Sequence, residues 1–501
     1  MLKSLLLFAI LTSPLWAEQK KPNLVIILAD DMGYSDASCF GSEIQTPALD
    51  RLANNGTRLT RFTNGGMCVV TRASLLTGKW WPRALPEFKK SELLPEALKK
   101  QNYRTALVGK WHLAGHPMDR GFDHFFGFLN GFTDHFAGSK SYRLDREPFT
   151  EFGPDYYSSD AFASRAIDFV SKKSDQPFFL YLSFQAPHNP LQAPKENILR
   201  HRGKYLAGWQ AVREARFARQ KKLGLFPENL SLPPYPKNLP DWNSLTPEQK
   251  DLEDLRMATY AAMIERMDKG IGRLVAALEK SNQLDNTLIL FLSDNGCDPF
   301  SVVDQAMLKR GLLPGDRGSN YQPGNGWAYA SVTPWRLYKI SQHAGGVTTG
   351  AIVHWPEGFR EKGNIVHTPL HVIDIKPTFL NGELPPRKTP LFFQYMDNRA
   401  IRTTQWTLAA ADGGKWELFD SKNDPFEIKD LSSQRPSLVQ KLDDDWQTWW
   451  QNESGKNYSP KSTADSPHYK PQGDRGTGQL YKPTAMPKKL SKRYPLPKNS
   501  F

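Results

Sequence analysis

Reactive side chains recur directly after four apolar segments that are spread along the chain. They are Asp30-Asp31, Lys110 with His112, His188, and Asp294-Asn295. If the four segments are parallel strands of one sheet, their carboxyl ends lie along one edge, where the binding sites of such sheets form. One carboxylate after a strand is ordinarily a turn residue or a helix cap, but four such coincidences predict a shared site.

Oxygen donors predominate in two of these groups. Asp30, Asp31, Asp294 and Asn295 offer carboxylate and amide oxygens, which Ca²⁺ and Mg²⁺ prefer and which suit zinc less well. The adjacent carboxylates of Asp30 and Asp31 would repel each other unless a cation lay between them or one were protonated. The set therefore predicts a site for Ca²⁺, or for Mg²⁺, and the alternative is a solvated loop.

Cys68 introduces a second kind of chemistry. The residues from Cys68 to Leu76 predict a helix that begins near Cys68. The positive field at a helix N-terminus would lower the pKa of the thiol and attract an oxyanion. Arg72, four residues later, would share the same helix face. The alternative is that Cys68 is an inert thiol of the core.

The elements that must position these groups alternate along the chain. Four apolar segments, residues 23–28, 104–108, 178–184 and 287–292, are typical of strands buried on both faces. One helix is predicted to begin at Pro47, with Thr46 as its cap and Gly56 after its end. Apolar residues at helical spacing run from Met257 to Leu278. This alternation predicts an α/β fold with a mixed, mostly parallel sheet between helices.

Composition divides the 501 residues into four regions. Residues 1–17 have the pattern of a signal peptide, which predicts a secreted or periplasmic protein. Residues 18–363 form the α/β region that would be the catalytic domain. Residues 364–452 predict a smaller C-terminal α+β domain, with strands at 390–395, 406–410 and 416–419 and a helix at 437–450. Residues 453–501, with ten Lys or Arg against three Asp or Glu, predict an extended, solvated tail or one that lies over the preceding domain.

The overall composition excludes several classes of protein. Hydrophobic residues make up 39% of the chain and charged residues 23%, which excludes wholesale disorder. Three cysteines exclude a disulfide framework, and no segment after the N-terminus reaches the ~20 apolar residues of a membrane span. The net charge of +13 would favour a polyanionic partner, but the sequence contains no basic, aromatic-bearing nucleic-acid module.

From Pro22 to about Asn452 the sequence resembles the type I sulfatases, whose fold is alkaline-phosphatase-like. Cys68-Val-Val-Thr71-Arg72 with Leu76-Thr77-Gly78 resembles that family's signature, Cys-x-Pro/Ala-Ser/Thr-Arg followed by Leu-Thr-Gly. Four further motifs match in the family's order: Leu28-Ala-Asp30-Asp31-Met-Gly33, Gly109-Lys110-Trp-His112, Ala186-Pro-His188-Asn-Pro190 and Phe291-Leu-Ser-Asp294-Asn295-Gly296. Thr333-Pro-Trp-Arg-Leu-Tyr-Lys339 and Asn398-Arg-Ala-Ile-Arg402 resemble the arylsulfatase branch in particular.

The resemblance implies a hydrolase of an aryl or carbohydrate sulfate monoester. A formylglycine-generating maturation enzyme would oxidise Cys68, and the hydrated formylglycine would attack sulfur. Its oxygen would also bind the Ca²⁺, which would be held by Asp30, Asp31, Asp294 and Asn295. Further roles are implied for residues that position the hydrate (Arg72, Lys110), take its proton (His112), assist the leaving alcohol (His188, Lys339) or contact the substrate (Lys110, His188, Lys339).

Several positions depart from the family pattern, and two other functions therefore stay open. Val70 stands where the maturation signature has Pro or Ala, Lys79 replaces a frequent Arg, Ala344 stands where Glu is common, and the stretch from Gly382 to Pro390 is short. One alternative is a phosphomonoesterase or phosphodiesterase of the same superfamily, which would use a Ser or Thr nucleophile and two zinc ions. The other is a non-catalytic protein that binds sulfated glycans and keeps Cys68 as a thiol.

Two further sets of residues leave alternatives open. Cys39 and Cys297 follow the metal-site motifs and are either buried thiols or a disulfide. Five aromatic residues in two loop regions either stack on the ring of a substrate or pack a loop core: Phe125, Phe126, Phe128, Phe132 and Trp209.

Overall fold

The computed structural model describes residues 21–237, 239–301, 303–358, 362–382, 390–459 and 481–497. The signal peptide predicted for residues 1–17 lies outside these ranges. No helix within them is long and apolar enough to cross a membrane.

The strands of the described ranges form two sheets. They are β1 (Asn23–Asp30), β2 (Thr57–Thr63), β3 (Arg104–Lys110), β4 (His124–Phe128), β5 (Tyr142–Leu144), β6 (Glu147–Pro148), β7 (Phe178–Pro187), β8 (Thr287–Ser293), β9 (Thr348–His354), β10 (Asn364–Val366), β11 (Leu370–His371), β12 (Leu391–Tyr395), β13 (Asn398–Arg402), β14 (Trp406–Ala410) and β15 (Glu417–Asp420). The four apolar segments are confirmed as β1, β3, β7 and β8, each of which continues beyond its predicted end.

The helices of the same ranges include every helix that the sequence predicts. They are α1 (Pro47–Asn54), α2 (Cys68–Thr77), α3 (Trp81–Ala84), α4 (Leu94–Lys100), α5 (Ser158–Val170), α6 (Lys195–Leu199), α7 (Gly208–Lys222), α8 (Pro247–Lys280), α9 (Asp304–Lys309), α10 (Asn325–Ser331), α11 (Ala344–Val347), α12 (Ile375–Asn381), α13 (Pro436–Ser454) and α14 (Lys488–Ser491). The apolar stripe from Met257 to Leu278 lies within α8.

The large sheet has the mixed, mostly parallel order that the sequence predicts. Its strands follow the order β10-β2-β9-β8-β1-β7-β3-β4-β5-β6, with β11 beside β2. β1 is parallel to both β7 and β8, and β3 is parallel to both β7 and β4. β9 runs antiparallel to its neighbours β2 and β8. The central strands therefore present their carboxyl ends along one edge.

Both faces of the sheet are covered, and β1 shows how. Val25 and Ile27 join a core formed with α5 and α8, whereas Leu24 and Ile26 join a second core formed with α2, α4 and α12. Because successive strand residues point to opposite faces, a continuous apolar strand can serve both cores at once. Burial of each such side chain contributes about 1.5–3 kcal/mol.

Helix α1 begins where the sequence predicts, but a different residue caps it. Thr46 stands at the N-cap position without a capping hydrogen bond, because its Oγ1 accepts the N–H of Ser38 at 2.8 Å. The carboxylate of Asp268, on α8, accepts the N–H groups of Ala48 and Leu49 at 3.0 and 2.9 Å. A residue distant in the sequence thus accepts the hydrogen bonds that the sequence predicts for Thr46 as the local cap.

The smaller domain is an antiparallel sheet, in the order β12-β13-β14-β15, packed against α13. Ile401, Leu408 and Trp446 form the centre of its core. The boundary predicted at residue 363 is too early, because β10 and β11 both pair with β2 of the large sheet. The small domain begins near Leu391 instead.

Residues 481–497 lie over the large domain and are not solvated throughout. The Tyr481 hydroxyl donates to Glu253 Oε1 at 2.8 Å, and the Tyr494 hydroxyl donates to Asp316 Oδ1 at 3.0 Å. Met486, which lies between Tyr481 and Tyr494 in the sequence, is also buried. This part of the tail therefore covers the large domain and not the small domain that directly precedes it in the sequence.

Cys39 and Cys297 are buried free thiols, so the disulfide alternative is wrong for this pair. Burial raises the pKa of both thiols well above the usual range. A thiol that stays protonated is a poor nucleophile, and both residues therefore behave as small apolar side chains.

Candidate active site

The large sheet brings the predicted groups together at the carboxyl edge of its parallel strands. Asp30 is the last residue of β1 and Lys110 is the last residue of β3. His188 and Asp294 directly follow β7 and β8, the two neighbours of β1. One site therefore receives a side chain from each of the four strands that the sequence identifies.

Two lysines neutralise the adjacent carboxylates. Lys110 Nζ donates to Asp30 Oδ2 at 2.6 Å, and Lys339 Nζ donates to the two carboxylate oxygens of Asp31 at 2.6 and 2.8 Å. Burial alone would raise the pKa of Asp31, but His188 and Lys339 lower it to about 2. Burial raises the pKa of Asp30 despite the charge of Lys110. The two carboxylates thus differ in how firmly each holds a proton.

Two buried oxygens of the site have no hydrogen-bond donor, Asp30 Oδ1 and Asn295 Oδ1. The Asn295 amide nitrogen donates to Asp31 Oδ1 at 2.5 Å. Buried oxygens without partners cost free energy unless a cation or a water satisfies them. These donors fit a hard cation, and Asp30, Asp31 and Asn295 are the residues that would hold it.

Asp294 and His188 also lie at the candidate cation site, and each already has a hydrogen-bond partner. Asp294 Oδ2 accepts Nε–H and Nη2–H of Arg72 at 3.0 and 2.7 Å, so one oxygen of this predicted ligand is already occupied. His188 Nε2 lies 3.5 Å from Asp31 Oδ2. One ligand atom from each of Asp30, Asp31 and His188 lies within 4.8 Å of the others. His188, predicted to contact the substrate, therefore also borders the candidate cation site.

Cys68 is the first residue of α2 and is 2% exposed. The lowered pKa predicted from its position is wrong. Burial raises the pKa of the thiol, although the charges of Lys110 and Lys339 act in the opposite direction. In this setting desolvation outweighs the helix N-terminus and both cations, so the unmodified thiol is not a ready nucleophile.

Arg72 is fully buried one turn after Cys68 and ties α2 to three strands. Beyond its contact with Asp294, its Nη1 donates to the carbonyl of Lys110 at 3.1 Å and to Ser183 Oγ at 2.5 Å. Ser183 is not predicted from the sequence, because its signal is weak: a single hydroxyl inside the apolar strand β7. These bonds fix the first turns of α2 against the edge of the sheet.

His112 adopts a strained backbone beside the site, with a φ of 55°. Its N–H donates to the carbonyl of Leu129 at 3.2 Å, and its buried Nδ1 has no hydrogen-bond partner. Burial, and then the charge of Lys110, lower the pKa of His112 to about 2. Such strain persists at functional sites because the surrounding structure holds it, and the imidazole is neutral at neutral pH.

Two residues near Lys339, neither of them predicted from the sequence, complete the surroundings of the site. Burial would lower the pKa of Lys339, but Asp31 and Asp298 hold it well above the usual range. Asp298 is buried and accepts Gln322 Nε2–H at 3.1 Å. Tyr395, at the end of β12, comes from the small domain. Burial, and then Cys68, raise the pKa of Tyr395, whereas the charge of Lys339 lowers it. Both domains therefore contribute groups to this region.

Comparison with known proteins gives a consistent result. The family model described as Sulfatase matches residues 22–381. An uncharacterized sulfatase of Schizosaccharomyces pombe is 33% identical, over 86% of this chain and 93% of its own length. The arylsulfatase of Klebsiella aerogenes is 35% identical, over 72% of this chain and 86% of its own length.

A solved structure is similar to this chain in fold. The crystal structure of Ps i-CgsB in complex with k-i-k-neocarrahexaose is 26% identical to this chain, with a TM-score of 0.63. The superposition covers 87% of this chain and 95% of that one. The similarity thus extends across both the large sheet and the C-terminal region.

Proposed function

The chain belongs to the sulfatase family and is a sulfuric ester hydrolase, and from this premise we propose that it releases sulfate from an aryl or carbohydrate sulfate monoester. The reaction would use a formylglycine made from Cys68 and a bound Ca²⁺, with Mg²⁺ as the alternative ion. The observation that carries the proposal is the meeting of Cys68, Lys110 and Lys339 beside buried carboxylate and amide oxygens that lack donors.

The residues of the site suit the charge that a sulfate brings. When bound, the cation would polarise the sulfate and the formylglycine would supply the attacking oxygen. Lys110 and Lys339 are buried cations, and they would stabilise the negative charge that develops as the ester bond breaks. The neutral imidazole of His112 would accept a proton. Arg72 acts on the site by positioning, since its donors are bound to Asp294, Ser183 and the carbonyl of Lys110.

The burial of Cys68 supports maturation before folding. A modifying enzyme needs an accessible peptide, and in the folded chain Cys68 is closed off within α2. We therefore propose that conversion accompanies export to the periplasm or the exterior, for which the pattern of residues 1–17 is the support. Val70, which departs from the maturation signature, is also buried. It would therefore affect how the maturation enzyme recognises the unfolded segment.

The phosphoesterase alternative gains nothing from the site. Its two zinc ions would need more nitrogen ligands, and among the described residues the one cluster of metal-binding side chains contains a single histidine, His188. The nucleophile position holds Cys68, where that alternative would have Ser or Thr.

The test combines mass spectrometry with sulfate release. The protein is produced together with a formylglycine-generating enzyme, and the peptide that contains Cys68 is analysed for a carbonyl-bearing species. Inorganic sulfate release from nitrophenyl sulfate and from sugar sulfates should rise with the converted fraction and should be absent in Cys68→Ala. A preparation with converted Cys68 that hydrolyses none of these esters would overturn the proposal.

A further inference from the structure

Of the five aromatic residues that the sequence offers as ring-stacking candidates, the structure leaves one exposed. Phe125, Phe126, Phe128 and Trp209 are buried in the two cores and pack loops and strands. Phe132 is 50% exposed, the largest exposed fraction among the large apolar side chains that the structure describes. Single exposed apolar residues are ordinary, so its position has to decide what it does.

Phe132 lies against the site. Its ring stacks on the imidazole of His188, with the ring centroids 5.9 Å apart and the planes inclined by 22°. His188 in turn lies 3.5 Å from Asp31, between their Nε2 and Oδ2 atoms. One face of the phenyl ring is thus fixed against a residue of the site, and half of the side chain surface stays open to a ligand.

The residues directly before and after Phe132 are both held in place. Thr133 N–H donates to Gln185 Oε1 at 3.1 Å, and Gln185 Nε2 donates back to the Thr133 carbonyl at 2.7 Å. On the other side, a Cβ placed on Gly131 would lie 2.9 Å from His112 Nε2, so the backbone there passes directly beside His112. Phe132 is therefore fixed between the two histidines of the site.

We propose that Phe132 is a specificity-determining residue that stacks on the ring of the alcohol or phenol in the sulfate ester. An aromatic face held in place loses little conformational entropy on binding, and it attracts both aryl rings and the C–H faces of sugars. The inference rests on the proposed function, because it places the sulfate among Cys68, Lys110 and Lys339 and the ring of the ester at Phe132.

The first experiment compares ring-bearing and acyclic substrates. Phe132→Leu should lower kcat/KM about five- to tenfold for nitrophenyl sulfate or for a monosaccharide sulfate, and less than twofold for propyl sulfate. The substrate class with the larger loss identifies the ring for which the site is built. Phe132→Trp should keep the preference for rings, and Leu223→Ala, which removes a comparably exposed side chain outside this loop, should change neither value.

A binding measurement separates this inference from the proposed function. Benzylsulfonate and propanesulfonate, which no sulfatase can hydrolyse at a C–S bond, are titrated into wild type and Phe132→Leu by calorimetry. If Phe132→Leu binds benzylsulfonate more weakly than wild type does but binds propanesulfonate equally well, the stacking role is supported even if the protein hydrolyses no tested ester. Equal losses for both ligands, or no loss for either, would overturn it, and unchanged thermal unfolding shows that the variant is folded.

Discussion

Charge pairing among the buried groups of the site determines which of its protons can move. The lysines at positions 110 and 339 are each bound to a carboxylate, so they act as fixed cations. Burial, reinforced by these cations, lowers the pKa of His112 to about 2 and that of His188 to about 3. At neutral pH both imidazoles are therefore neutral, and the stabilisation of anionic charge is left to the lysines.

His112 should control the release of sulfate and not the first cleavage. His112→Ala is expected to release about one equivalent of alcohol per active site in a rapid burst and then to turn over ~10²–10⁴-fold more slowly than wild type. Stopped-flow measurements with nitrophenyl sulfate resolve the two phases. His124→Ala, which removes an exposed histidine, is the control. Steady turnover at the parental rate would eliminate the role.

Calcium should stabilise the protein through the oxygens that lack donors. At a concentration of one hundred times Kd, a bound cation adds about 2.7 kcal/mol to the free energy of unfolding, so Ca²⁺ should raise Tm and a chelator should lower it again. Asp30→Asn should lose this gain, whereas Asp119→Asn, which alters an exposed ion pair, should keep it. Stoichiometric zinc in a fully active preparation would contradict the hard-cation assignment.

For strands and helices, the sequence predicts what depends on local pattern and misses what depends on tertiary contacts. The four central strands were predictable because they are continuously apolar and buried on both faces. β2 was not, because its sequence, Thr-Arg-Leu-Thr-Arg-Phe-Thr, is neither continuously apolar nor alternating. Its buried hydroxyls bind residues far away in the sequence, as Thr63 Oγ1 donates to the Leu370 carbonyl at 2.7 Å. The capping of α1 by Asp268 was equally invisible, because the two are 220 residues apart.

The Asp268 cap should make stability depend on pH. Burial raises the pKa of Asp268 to about 7, from the usual 3.8. The folded state then binds a proton that the unfolded state has lost, so this contribution is fully present below about pH 4 and disappears as pH rises through 7. Asp268→Asn resembles the protonated acid and lacks the titration.

Wild type should therefore lose stability relative to Asp268→Asn by about 1.4 kcal/mol per pH unit between pH 5 and 7, and no further above about pH 8. Thermal unfolding of both proteins in a series of buffers gives the difference directly. A difference in Tm that stays constant across this window would show that Asp268 ionises normally in the folded protein.

The small domain holds the segment that carries Lys339. Glu427 is buried, and its Oε2 accepts the N–H of Ala344 at 3.2 Å while its Oε1 accepts Arg402 Nη1–H at 2.8 Å. Arg402 Nη2 donates to the carbonyl of Gln342 at 2.9 Å. The backbone at Ala344 is thus held by a carboxylate from the other domain. Motif spacing could identify Lys339 but not this support, which exists only in the folded chain.

Glu427 should therefore influence catalysis through Lys339. Glu427→Gln keeps the shape but removes the charge that Arg402 pairs with, and charge-assisted hydrogen bonds contribute about 1.5–3 kcal/mol. We expect kcat/KM for a sugar sulfate to fall about tenfold, because the segment around Lys339 loosens. Lys429→Gln, which removes an exposed charge from the same loop, should leave kcat/KM unchanged.

A double-mutant cycle distinguishes this coupling from a general loss of stability. If Glu427 acts by positioning Lys339, then Glu427→Gln combined with Lys339→Ala should be no slower than Lys339→Ala alone, because the positioned group is already missing. Nitrophenyl sulfate provides a second readout: its phenolate delocalises its own negative charge and needs less stabilisation by the Lys339 cation, so both single variants should affect it less than the sugar sulfate. Losses that simply add, or that are equal for the two esters, would show that Glu427 stabilises the domain contact without acting on Lys339.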